Sequence, residues 1–243
     1  HETARYNPEF LIHLAAVHYI PFCLENPQET WRVNVKGTES MLKISMEKKI
    51  KKFIFSSSGA IYMPSSKKHK ESDKLLPLEI YGETKMQCEK LIIDYCAKSE
   101  IGFTILRLFN IYGKNDLTPH FIPSIVKRIN ESNFIKVGNL ETERDYVFID
   151  DLTDILLRII KKGVMPNDTF NIGTGISTSG KDVIRLIAEL KKVNIELIND
   201  KGLIRTNDRT RLVADIDKIS DFHRWRPRYN IHDGLKILLQ NNE

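Results

Sequence analysis

Lys52-Phe53-Ile54-Phe55-Ser56-Ser57-Ser58, followed after a loop by Tyr81-Gly82-Glu83-Thr84-Lys85, decides the reading of this chain. The first stretch is an apolar run that ends in three hydroxyls, the pattern of a buried strand. The loop carries Pro64, Lys67, Lys68 and Lys70 and runs on to Pro77. The second stretch opens a helical pattern continued by Met86, Leu91, Ile92 and Tyr95. Tyr81 and Lys85 are four apart, so they share one helical face. A strand ending in hydroxyls, beside a helix beginning with Tyr and Lys, is a layout for proton transfer. A phenol near pKa ~10 is a poor base at neutral pH. Lowering that pKa by roughly three units takes about 4 kcal/mol. One ammonium and one cationic cofactor ring in a desolvated pocket would supply it. The spacing alone is weak in a chain with eight tyrosines and many lysines. The serine-ended strand gives it weight.

The pattern extends on both sides. Phe10-Leu11-Ile12-His13-Leu14-Ala15-Ala16 reads as a short buried strand whose small last residues admit close approach to the backbone. Residues 27–49 read as a helix, with Trp31, Val35, Thr38, Met41, Leu42 and Ser45 at helical spacing. The Tyr81 helix runs to about Ser99, and a strand Phe103–Phe109 ends at Asn110-Ile111-Tyr112-Gly113. Strand and helix alternate, which predicts a parallel sheet with helices on its faces. Ligands bind beyond the carboxyl ends of such strands, here Ala15-Ala16, Ser56–Ser58 and Phe109-Asn110. Further on, a helix is expected over 119–131 and a strand over 144–149. Asp150 or Asp151 would cap the next helix, to Lys162. A strand over 169–172, a helix from Ser179 or Gly180 to about Lys192, a strand over 195–198, a loop over 201–211 and helices over 215–222 and 231–239 complete the chain.

Composition bounds the function. With 41% hydrophobic and 28% charged residues in 243, the chain has material for a real core and a soluble surface. The net charge is +5, but the lysines lie in scattered pairs, as on solvated helix ends, so no nucleic-acid partner is expected. Cys23, Cys88 and Cys96 form no CxxC, which fits reduced thiols and a cytoplasmic location. No run of 18 apolar residues and no signal peptide are visible, so no membrane association is expected. The histidines have no metal spacing and no metal is expected; His13 reads as a satisfied core histidine, and Trp31 and Trp225 as core or interface anchors.

Eight short motifs, in order, resemble the extended short-chain dehydrogenase/reductases, in particular the NAD-dependent nucleotide-sugar epimerase/dehydratase group (UDP-glucose 4-epimerase-like). They are Ile12–Ala16, Asn34-Val35-Lys36-Gly37-Thr38, Phe53–Ser58, Tyr81–Lys85, Leu106–Gly113, Arg144-Asp145-Tyr146, Phe170-Asn171-Ile172-Gly173 and Trp225-Arg226-Pro227. The resemblance implies a Rossmann-type doubly wound α/β sheet, over residues 1–112 with 144–163 returning to it, as a partial NAD-binding domain. A smaller α/β domain over 113–243 would bind the nucleotide sugar. Tyr81 is then the catalytic base and acid, Lys85 its activator and ribose ligand, and Ser58 the partner of the reacting hydroxyl. Leu14, Ala15, Ala16, Asn34, Ser56 and Phe109 would line NAD together with Tyr81 and Lys85. Asn110, His120, Arg144 and Arg205 would contact the sugar nucleotide, as Ser58 would; guanidinium forks suit phosphate oxygens. A surface His at a helix start is the preferred account of His120; for Arg144 the contact to diphosphate or ribose is preferred to a salt bridge with Asp145 or Asp150.

The implied reaction is epimerisation at C4 of the sugar. Tyr81 takes the hydroxyl proton, the sugar carbon passes hydride to NAD, and the keto sugar turns over before the hydride returns. A reductase or dehydrogenase of the same family, or a non-catalytic remnant, are the alternatives. The dehydratase branch carries an acidic pair after the catalytic hydroxyl, and the decarboxylase branch a Glu; Gly59 and Ala60 stand there, which sets both branches aside. The family's opening GxxGxxG turn, which cradles pyrophosphate, has no counterpart in this sequence. The expectation is a chain lacking about the first quarter of the fold and binding NAD poorly or not at all by itself. A homodimer is expected through helices 28–49 and 82–99, by analogy with the family.

Overall fold

The computed structural model describes residues 7–163, 166–204 and 209–240. It divides into two compact units. One comprises residues 1–63, 71–108 and 156–172; the other comprises 64–70, 109–155 and 173–243.

The first unit is built on a parallel sheet. Strands β1 (Phe10–His13), β2 (Lys52–Ser58), β3 (Gly102–Leu108) and β8 (Asp168–Ile172) lie in that order, every pair parallel. Parallel strands covered on both faces read as continuous apolar runs, and β2 is buried from Lys52 through Ser57. Helices α1 (Ile20–Glu25), α2 (Pro27–Trp31), α3 (Gly37–Glu47) and α4 (Ile80–Ala97) belong to this unit. Val35, Leu42, Phe53, Phe55, Cys88, Ile92, Cys96, Ile101 and Ile105 form one apolar cluster. Each fully buried Phe contributes on the order of 2 kcal/mol.

The helix expected over 27–49 forms, but between α2 and α3 it widens into a π-helical turn over Arg32–Lys36. Such turns are rare and concentrate at functional sites. This one carries Asn34. The Asn34 amide accepts the Val17 N–H at 2.8 Å and donates to the Val17 carbonyl at 2.9 Å. The structure corrects one boundary: the first strand stops at His13 rather than Ala16, and four residues on both backbone groups of Val17 are taken by the Asn34 side chain rather than by β2. Trp31 also departs from a core reading, at 39% exposed, whereas Trp225 is fully enclosed.

The second unit contains β4 (Asn110–Tyr112) parallel to β7 (Tyr146–Phe148), β5 (Phe134–Val137) parallel to β10 (Glu196–Asn199), and a small sheet β11 (Arg211–Leu212)–β6 (Glu143–Arg144)–β9 (Thr178–Ser179). Helices α5 (Phe121–Glu131), α7 (Gly180–Lys191), α8 (Asp217–His223) and α9 (Ile231–Leu239) complete it. Its core joins Ile122, Ile125 and Ile129 of α5 to Val183, Ile184 and Ile187 of α7. The strand expected over 144–149 is broken at Asp145. At this residue the backbone changes partners: its N–H donates to the Leu212 carbonyl of β11 and its carbonyl accepts the Asn110 N–H of β4, so the run is divided between two small sheets. The buried carboxylate accepts N–H bonds from Thr174, Gly175 and Ala214 and the Thr174 hydroxyl. Helix α6 (Ile149–Lys162) begins before Asp150 and Asp151. Neither aspartate therefore caps it. Asp151 is fully buried and instead accepts the backbone N–H groups of Arg228 and Tyr229.

Candidate active site

The buried face of α4 is unusual. Thr84, Lys85, Cys88, Glu89, Ile92 and Cys96 recur at helical spacing and all are buried. A stripe facing a core is normally apolar; here its first two turns carry an ammonium and a carboxylate. Charged groups are buried only when they are partnered, so this end of the helix is built for something other than packing.

Lys85 Nζ donates to the Ser56 carbonyl at 2.6 Å. It lies 4.7 Å from the centre of the Phe55 ring and 6.0 Å from that of Tyr81. Burial pulls its pKa down to about 8, against the pull of Cys88 and Glu89. The Tyr81 phenol is pushed up to about 12 by burial, while a hydrogen bond with the Ser58 side chain acts to lower it. In the protein alone desolvation outweighs the Ser58 bond, and one Lys85 donor is taken by the Ser56 carbonyl; the expected lowering of Tyr81 calls for a cationic cofactor ring as well as the ammonium. Ser58 also accepts the Ala60 N–H at 3.1 Å, which caps the 3-10 turn Gly59–Ile61.

Ser56, Ser58, Tyr81 and Lys85 are thus drawn together at the carboxyl end of β2. The Ser56 hydroxyl donates to the His13 carbonyl at 3.2 Å. Asn34 also donates to Thr84 Oγ1 at 3.0 Å, and Thr84 donates in turn to the Tyr81 carbonyl at 2.8 Å. Asn34 therefore ties the Leu14–Ala16 loop to the start of α4. His13 is buried against Thr38, with Nε2 3.1 Å from Oγ1.

In the second unit Phe109 is buried and Asn110 half-buried, with the Asn110 N–H donating to the Asp145 carbonyl. Arg144 Nη1 donates to the carbonyls of Glu143 and Arg209, at 2.9 and 2.8 Å. His120 stands at the N-terminus of α5, its Nδ1 3.0 Å from Asp116. Arg205 lies outside the described residues.

One feature of the first unit escaped the sequence reading. Ser57, Arg107 and Asn171 stand opposite one another across β2, β3 and β8. Arg107 binds the Glu89 carboxylate with Nε and Nη2, at 3.0 and 2.8 Å, and its Nη1 reaches the Tyr62 hydroxyl at 2.9 Å. The available signal was an Arg inside the apolar run Phe103–Phe109 and a Glu four residues past Lys85.

A parallel sheet whose carboxyl end gathers Ser, Tyr and Lys defines a Rossmann-type α/β protein equipped for proton transfer. The model of the NAD dependent epimerase/dehydratase family matches residues 2–173. The chain belongs to that family, whose members are NAD-dependent enzymes. A UDP-glucose 4-epimerase from Lactobacillus helveticus is 31% identical over 93% of this chain and 74% of its own. A GDP-6-deoxy-D-talose 4-dehydrogenase from Aggregatibacter actinomycetemcomitans is 29% identical over 87% of this chain and 72% of its own. The crystal structure of UDP-glucose 4-epimerase with UDP-glucose from Thermotoga maritima has a TM-score of 0.91 at 27% identity, covering 98% of this chain and 78% of that one.

The residues present fit the nicotinamide–ribose half of NAD. Lys85 has three N–H donors, and the Ser56 carbonyl takes one of them. Small residues, Ala15 and Ala16, follow β1. Among the described residues no helix is long and apolar enough to cross a membrane, and no group of metal-ligating side chains is found.

Proposed function

We propose that this chain epimerises a nucleotide sugar at C4 through a transient keto sugar. The observation that carries the reading is the Ser58–Tyr81–Lys85 cluster at the end of β2, with Gly59 and Ala60 beside it instead of carboxyl groups. Tyr81 Oη takes the proton of the C4 hydroxyl. Ser58 shares that hydroxyl and orients it. The hydride acceptor and donor is supplied by NAD when it is bound. Lys85, charged below about pH 8, holds the ribose and adds positive charge near the phenol. A phenol raised by burial becomes a base only when positive charge surrounds it in a desolvated site, so the proton transfer waits for a loaded site. Buried donors fixed before reaction avoid reorganisation during it.

In this reading residues 1–112, with 144–163, serve the dinucleotide through Leu14, Ala15, Ala16, Ser56 and Phe109. Asn34 acts by holding the 14–17 loop. Residues 113–243, with Asn110, take the sugar nucleotide, through His120, Arg144 and Arg205. A cytoplasmic homodimer through helices 28–49 and 82–99 accompanies it. Trp31, Ile44, Met46 and Ile93 stand exposed on those helices, which supports an apolar contact there.

The similarity to a GDP-6-deoxy-D-talose 4-dehydrogenase favours a second reading, a reductase or dehydrogenase using the same Tyr and Lys. The test is a panel of UDP-, dTDP- and GDP-sugars with NAD, and of their 4-keto forms with NADPH, followed by proton NMR and absorbance at the nicotinamide band. Interconversion of C4 epimers without net nicotinamide turnover is the expected result. Stoichiometric consumption of NADPH with a 4-keto sugar would transfer the assignment to the second reading.

A further inference from the structure

We propose that Glu89 is a positioning residue: clamped by Arg107, it pins the face of α4 that carries Tyr81 and Lys85 and supplies the anionic neighbour that keeps the Lys85 ammonium charged. The inference rests on Tyr81 and Lys85 being the reacting pair.

The geometry is specific. Glu89 lies one turn beyond Lys85 and two turns beyond Tyr81, on the same face. It is 3% exposed, and Arg107 is 6%. Both carboxylate oxygens are engaged, Oε1 by Arg107 Nε and Oε2 by Nη2. Such a fork fixes direction as well as distance. The remaining branch of Arg107 is also fixed, on the Tyr62 hydroxyl and on the Glu71 carbonyl at 2.8 Å. Tyr62 donates to Asn171 Oδ1 at 2.6 Å, and the Asn171 N–H donates to Glu71 Oε1 at 2.8 Å. The clamp is thus anchored on β3, on β8 and on the loop before α4. Arg107 stands opposite Ser57, one residue before Ser58.

A buried ion pair is weak evidence for stability, since two apolar side chains would serve as well or better. Its retention beside a buried lysine calls for another account. The titratable groups around Lys85 are Tyr81, Cys88 and Glu89 on α4 and His13 on β1, with the Arg107 guanidinium of β3 on the Glu89 carboxylate. Within this set Glu89 is the carboxylate, and its charge opposes the desolvation that pulls Lys85 down. His13 is held neutral near pH 7 by burial first and by Lys85 second.

The experiment is a carbon-13 NMR titration of the lysine ε-carbons in the whole chain, with the Lys85 signal assigned by K85R. It needs neither sugar nor cofactor, so its outcome is separate from that of the epimerase assay. In Glu89→Gln the Lys85 midpoint is expected to fall by about 1 pH unit, and Glu89→Asp is expected to restore most of it. A folded Glu89→Gln protein with an unchanged Lys85 midpoint would overturn the proposal. Should the lone buried Arg107 prevent folding, the double variant E89Q/R107M removes that charge. Because the guanidinium charge goes with the carboxylate, it is expected to show a smaller fall in the same direction, and an unchanged or raised midpoint there overturns the proposal equally. A merely structural role would lower the melting temperature and leave the Lys85 midpoint in place.

Discussion

Lys85 Nζ and the Ser56 carbonyl are 2.6 Å apart, so the cation on α4 is fastened to the backbone of β2 two residues before Ser58. This bond sets the cation's place, and burial sets its cost. The free lysine titrates at 10.5 and the folded one at about 8. The unfolded chain therefore binds more protons between those values, and stability rises with pH from about 8 to about 10.5. Below pH 8 the full cost is present, of order 3 kcal/mol. Lys85→Met removes it along with the Ser56 bond. Urea denaturation at pH 7 is expected to show Lys85→Met at least as stable as wild type, with turnover reduced about 100-fold or more. The stability difference should shrink as pH approaches 10.

His13 has a consequence of the same sign at lower pH. Its folded pKa is lowered to about 4 from 6.5, by burial and then by Lys85. The neutral ring is the folded form, so the stability it allows is complete above pH 6.5 and is lost as pH falls toward 4. Wild type should lose about 2 kcal/mol from this group between pH 7 and pH 5. His13→Asn should flatten that part of the acid limb, measured by urea midpoints at both pH values. An unchanged slope would show that another group carries the acid sensitivity.

Asp145 ties three backbone N–H groups and one hydroxyl in the second unit. Asp145→Ala leaves those donors buried without an acceptor, at about 1–3 kcal/mol each before relaxation. The expected result is loss of 3 kcal/mol or more, or failure to fold, by thermal melting. Asp145→Asn should be milder because its one amide oxygen still accepts.

Two glycines should behave in opposite ways. A Cβ on Gly82 would sit 2.7 Å from the Ala60 carbonyl oxygen and 2.8 Å from Pro77 Cβ. Gly82→Ala must push the start of α4, with Tyr81, away from the Ser58 turn. Turnover should fall more than 10-fold even where the protein folds, because a displacement near 1 Å is costly in catalysis. Gly37 meets nothing within 4 Å and has helical dihedrals. Gly37→Ala is expected to raise stability by about 0.5–1 kcal/mol, read from the melting temperature, with turnover unchanged.

Much of this protein is local and was legible in its residues. The apolar run Phe53–Phe55 with its three serines could only be a buried strand ending at a crevice. The four-residue interval between Tyr81 and Lys85 set them on one helical face wherever the helix lay. A helix start at Ser179 or Gly180 and the helix Ile231–Leu239 came directly from local spacing, and the structure makes Ser179 the cap. Non-local partners were what the tertiary structure decided. Asn34 is spent on Val17 and Thr84, which no pattern within the helix foretells. Asp145 gathers donors 29, 30 and 69 positions away, which no local pattern foretells. Glu89 meets Arg107 only because β3 passes beneath α4. Charge states belong to the same class: the sequence placed an ammonium near a phenol, but the degree of burial, a property of the packed whole, moved Lys85 down and Tyr81 up. Periodicity records which face a residue occupies; desolvation and hydrogen-bond partners depend on what the rest of the chain brings to that face.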